Sequence, residues 1–105
     1  MINLTDKTIL VEGEDRLRIP LEPSGRVARA SWSYVHAGHL PGTCIPLWKR
    51  VAEVKNLPQE DSVCFVEREV YLACPDRKGL VTHGQGCIIP LGERLLLVTK
   101  LETRM

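Results

Sequence analysis

Aromatic side chains are scarce in this chain of 105 residues, with one Phe, two Trp and two Tyr. A core must then be built mainly from aliphatic side chains, and any place where rings gather stands out. An excess of one charge sign is also lacking. Fourteen Lys and Arg face thirteen Asp and Glu, a formal net charge of +1. That balance steers little toward polyanions, so nucleic acid is not an expected partner. No stretch approaches the roughly 20 apolar residues of a membrane-spanning helix, which argues against a membrane role. Asp6 and Lys7 stand where an export signal would have its apolar centre. The expectation is a cytoplasmic protein whose four cysteines are thiols rather than a disulfide framework. Repeats, low-complexity tracts and linkers are absent too, and 1–105 reads as one domain.

What is present is β-forming. The stretch 62–102 is dominated by Val, Ile, Leu and rings, broken by the turn signals at 75–79 and 90–92. Strands are expected at 62–74, 80–82, 87–91 and 94–102. Upstream, 8–12 is a short apolar run ending at Gly13. Residues 16–22 alternate, with Leu17, Ile19 and Leu21 on one side, and Pro20 assigns that strand to a sheet edge because it cannot donate to a ladder. Residues 26–36 alternate as well: Ala28, Ala30, Trp32, Tyr34 and His36 share one face. At 46–56 the period changes. Leu47, Val51 and Val54 fall at i, i+4, i+7 behind Pro46, which predicts one short helix there. The fold class expected is mainly β (β-rich α+β): a small antiparallel barrel or sandwich of about six or seven strands with that helix near 46–56. Leu95, Leu97 and Leu101 face one way and Leu96 and Val98 the other. The last strand therefore needs cover on both sides, which a subunit interface would supply, and a homodimer is expected.

Three constellations bear on function. Trp32, Tyr34, His36 and Trp48 combine apolar bodies with polar tips, the composition of a ligand-binding wall, although packing of a strand on the helix accounts for the same residues. His36, His39, Cys44, His83 and Cys87 are the ligand types zinc prefers, arranged as two separate groups. Cys44 and Cys87, each near a histidine, are also candidate nucleophiles, with the Gly84 and Gly86 N–H groups available to an oxyanion. Buried structural thiols and a glycine bend are the simpler reading of those residues. Glu67 and Glu69 form a carboxylate pair on one strand face, more simply read as solvated acids. The arginines at 16, 18, 26 and 29 near Trp32 and Tyr34 admit a nucleic-acid-binding barrel, diluted by Glu12, Glu14, Asp15 and Glu22. The expectation is a non-enzymatic binding domain without a cofactor, homodimeric, holding a small ligand or protein partner near Trp32, Tyr34, His36 and Trp48. The alternative is a metal- or thiol-dependent enzyme using the histidine–cysteine groups.

Overall fold

A computed structural model describes residues 1–59 and 62–104. In chain order its elements are β1 (Ile2–Asn3), β2 (Thr8–Glu12), β3 (Arg18–Leu21), β4 (Arg29–His39) and β5 (Pro46–Lys55). There follow β6 (Cys64–Phe65), α1 (Arg68–Ala73), β7 (Leu80–His83), β8 (Ile88–Gly92), β9 (Leu95–Val98) and β10 (Leu101–Thr103). A single 3-10 turn at Glu14–Arg16 joins β2 to β3. The strands form a first sheet ordered β1-β6-β7-β10, a second ordered β3-β2-β9-β8, and a separate two-stranded ribbon of β4 and β5.

The mainly-β class with one short helix stands, but three expectations are corrected. The described strands make open sheets with mixed parallel and antiparallel pairs rather than an antiparallel barrel or sandwich. Segments distant in sequence pair in parallel, β1 with β6, β6 with β7 and β2 with β9, and such pairs need crossovers rather than hairpin turns. The helix expected at 46–56 is strand β5, antiparallel to β4 over nearly its whole length. Nine paired positions along β4 satisfy its backbone, and that outweighs the i, i+4, i+7 coincidence of Leu47, Val51 and Val54. The helix lies instead at 68–73, inside the stretch expected as one strand over 62–74. The strand there stops at Phe65 because Arg68 turns inward, its guanidinium donating to the His83 carbonyl at 3.0 Å and pairing with Glu102 at 3.1 Å.

The strand expected at 94–102 divides at Thr99–Lys100 into β9 and β10, which belong to different sheets. Backbone bonds from Thr99 N–H to the Cys87 carbonyl and from Gly84 N–H to the Lys100 carbonyl hold the crossing point. Pro20 sits on β3 at the edge of its sheet, as its missing N–H requires.

Apolar side chains form two clusters, one on each face of the first sheet. Leu4, Val66, Val70, Tyr71 and Leu80 pack under α1, with Ala28 and Ala30 bringing in the start of the ribbon. Ile9, Phe65, Val81 and Val98 fill the space toward the second sheet. Each fully buried side chain of this kind contributes about 1.5–3 kcal/mol. Between strands β1 and β2, buried Asn3 is a polar hub. Its amide donates to the Lys7 and Leu21 carbonyls at 2.8 Å each, while its side-chain oxygen accepts from the Thr5 N–H and hydroxyl. Gly79 takes φ +79°, and a Cβ there would lie 2.9 Å from the Ser62 carbonyl oxygen, so glycine alone lets β6 and β7 close up.

Candidate functional site

The ribbon sets the shape of the molecule. Principal extents are 60 × 29 × 28 Å and the Cα radius of gyration is 17.1 Å, against about 13 Å for a compact chain of 100 residues. Ten residues per strand give a ribbon about 33 Å long, enough to account for the difference between the long axis and the other two. Ala28, Ala30 and Val54 anchor its root in the core beneath α1, and Asn56 fastens it with a bond from its amide to the Val27 carbonyl at 3.0 Å. The rest is an arm.

One face of the arm continues the core outward. Ala28 is buried, Ala30 and Trp32 are half-buried, and Tyr34 reaches 69% exposure. The register sets Trp32 opposite Ala52, Tyr34 opposite Arg50 and His36 opposite Trp48. Sequence alternation thus correctly groups Trp32, Tyr34 and His36, and the ladder adds Trp48 to the same face. These rings do not pack a strand against a helix: that helix is β5, and Trp48 is 59% exposed. Arg50, opposite Tyr34, belongs to this face. Its guanidinium lies 3.9 Å over the Trp32 ring, a cation–π contact worth about 0.5–1 kcal/mol when exposed. A period-two reading of 48, 50 and 52 is the signal that would have found it.

A bulge shapes the far end. Two residues of β4, Ala37 and Gly38, intervene between the pairs His36–Trp48 and His39–Pro46, and Gly38 takes φ +104°. The irregularity turns His39 to the side of His36. Their rings meet edge to face at 5.1 Å between centroids, and His36 meets Trp48 likewise at 5.5 Å. The turn beyond carries Cys44 in the open, with Leu40 and Ile45 also exposed. A shallow apolar notch lies between Tyr34 and Trp48.

The opposite face of the arm holds Ser31, Ser33, Lys49, Glu53 and Lys55, together with Val35 and Val51. Over residues 26–55 five cations (Arg26, Arg29, Lys49, Arg50 and Lys55) meet only Glu53. The remainder of the chain carries nine cations against twelve anions. A balanced total of +1 therefore conceals a basic arm on an acidic body. Arg29, at the root, pairs with Glu67 at 3.3 Å and Asp6 at 3.8 Å.

The other groups resolve differently. His36 and His39 touch, but among the described residues no three His, Cys, Asp or Glu side chains gather as metal ligands. His83 and Cys87 flank a tight turn closed by the bond from Cys87 N–H to the Gly84 carbonyl at 3.0 Å, with Gly86 at φ +74°. The Cys87 thiol points to the Gln85 carbonyl at 3.7 Å, and the Gly84 N–H proposed for an oxyanion is already bonded to Lys100. Cys64 is buried, and burial raises the Cys74 thiol above its ordinary value, opposed by Arg77 and Arg104. Glu67 and Glu69 are not a strand-face pair: Glu67 immediately precedes α1, without a capping side-chain bond, and Glu69 lies in its first turn. A cavity of ≈ 430 Å³ between 75–80 and Thr103–Arg104 has a basic lining. Two of its cations are engaged, Arg77 with the Pro58 carbonyl and Arg104 with the Tyr71 carbonyl and ring.

Among the described residues no helix is long and apolar enough to cross a membrane. Comparison with protein-family models, curated proteins and solved structures finds no match.

Proposed function

We propose that this chain is a non-enzymatic interaction domain that holds a protein partner on the ringed face of its arm. The observation that carries the reading is the exposure of Tyr34 and Trp48, side by side with His36 and Arg50, on a ribbon projecting from the core. Tyr, Trp and Arg are the residue types that concentrate binding energy at interfaces. A protein suits this face better than a small ligand does. The notch between Tyr34 and Trp48 has no opposing wall, whereas small-molecule sites enclose about 70–90% of their ligand. A lone two-stranded ribbon is marginally stable by itself, so a partner that covers it also orders it.

The basic character of residues 26–55 supports a second reading, binding of nucleic acid. Against it, Lys49 and Lys55 lie on the face opposite Tyr34 and Trp48, and a single-strand groove needs cations and stacking rings on one surface.

Photo-crosslinking from the arm tests both. A benzophenone maleimide on Cys44, in a Cys74→Ser/Cys87→Ser background, is irradiated in extract of the source cells. Adducts that resist nuclease, yield to protease and vanish in Tyr34→Ser/Trp48→Ser support the protein-binding reading. Adducts removed by nuclease, or unchanged by the double substitution, overturn it.

A further inference from the structure

The body has a crevice of its own, away from the arm. Strands β1, β6 and β7 run parallel, with Asn3, Phe65 and Val81 level in the ladder. Bonds from Leu4 N–H to the Phe65 carbonyl and from Val66 N–H to the Val81 carbonyl carry that ladder onward. Two residues past the level row stand Thr5, Glu67 and His83, at the carboxyl ends of the three strands. β6, α1 and β7 make a strand–helix–strand unit. In open sheets built of such units, ligands enter the crevice outside the strands' carboxyl ends. A cavity of ≈ 200 Å³ lies there. Ile9, Phe65, Ile88 and Leu96 give it apolar walls, and Lys7, Arg68 and His83 add polar ones. Every one of these residues is buried or half-buried.

We infer that this cavity binds a small organic carboxylate, its charged end on Arg68 and Lys7 and its apolar body against Ile9, Phe65, Ile88 and Leu96. Arg68 is fixed through Nη1 alone, which donates to the His83 carbonyl at 3.0 Å and to Glu102 at 3.1 Å. Among the described residues its Nε and Nη2 have no partner. That edge of a guanidinium meets a carboxylate with two parallel bonds. The Lys7 ammonium likewise has no hydrogen bond or ion pair to a described residue. Glu67, the one acid in the lining, is already engaged by Arg29 at 3.3 Å.

Charge and size set the ligand class. Lys7 and Arg68 face a single carboxylate, Glu67, in the lining. A monocarboxylate balances that surplus, whereas a phosphate dianion exceeds it. At about 30 Å³ per molecule the space equals roughly seven waters, or an acid of about six to nine non-hydrogen atoms. The mixture of apolar walls with a few convergent polar groups is that of a small-molecule site. No residue of the arm lines the cavity, so this site stands apart from the arm's capture of a protein.

NMR titration of the full chain at pH 7 with benzoate, pentanoate, benzamide and inorganic phosphate tests this. Benzoate and pentanoate are expected to move the amide signals of Lys7, Phe65, His83 and Leu96 saturably, with Kd on the order of 1 mM. Benzamide, which has the same body without the charge, is expected to bind about tenfold more weakly. Lys7→Gln removes a side chain that holds nothing in the fold. It is expected to weaken benzoate about fivefold while the circular dichroism spectrum and unfolding midpoint stay unchanged. No saturable shift by about 20 mM of either acid overturns the inference. So does benzamide binding as tightly as benzoate, or Lys7→Gln binding as tightly as wild type. Inorganic phosphate matching benzoate would mean a simple anion site and overturns it too, as would shifts centred on Tyr34 and Trp48 or on 75–80.

Discussion

The body and the arm draw on the same kinds of residue and spend them in opposite ways. In the body, Ile9, Phe65, Val66, Val70 and Val98 are at most 2% exposed, and three of the parallel pairings link strands from opposite ends of the chain or across a crossover. In the arm, two strands of ten or eleven residues pair only with each other, and Tyr34, Val35, Leu47 and Trp48 stand in solvent. Buried apolar surface is thus concentrated in the body and exposed rings in the arm. The root, where Ala30 faces Val54 above the core, is the boundary between them.

Substitutions can break that division or sharpen it. The largest effect is expected from Phe65→Ala, which empties the centre of the cluster between the two sheets. A loss of about 3–5 kcal/mol in denaturant unfolding is the ordinary cost of such a cavity. Next comes Asn3→Ala, which strips the Lys7 and Leu21 carbonyls of their donor and costs about 2–3 kcal/mol. Its companion observation is faster amide exchange in β1 and the β2–β3 hairpin. Thiol labelling at pH 8 separates the regions without mutation. Cys44 on the arm reacts first, while Cys74, kept protonated by burial, and buried Cys64 react last; simultaneous labelling would mean that the body opens as readily as the arm. The smallest effect is expected from removing the arm. Replacing 32–52 by Asn-Gly joins Ser31 to Glu53, already cross-strand partners, through a two-residue hairpin turn. Body stability should change by less than about 1 kcal/mol, and a larger loss would show that the arm supports the fold.

Much of the body was legible because its signals are local. The alternation at 16–22 and the edge position of Pro20 need no knowledge of distant partners. What could not be read was decided at a distance. Leu47, Val51 and Val54 suit a helix, while Trp48, Arg50, Ala52 and Val54 suit a strand; only the matching length of 29–39 selects the second. In the same way α1, six residues long, offers too few turns for a helical period to separate Arg68–Ala73 from the alternation on either side. The site was half legible. Trp32, Tyr34, His36 and Trp48 do share one face, but as a bare surface rather than a pocket wall. Arg50 and the basic arm were hidden by a helical assignment and by a charge that balances over the whole chain.

The parallel pairing of β2 with β9 has a consequence for the newborn chain. Strand β2 must wait for β9 before both of its edges are paired, and contacts so far apart in sequence slow folding. The hairpin of β4 and β5 faces no such delay, since its partners follow one another directly. During synthesis the arm can therefore take shape while the domain that will carry it is still unmade.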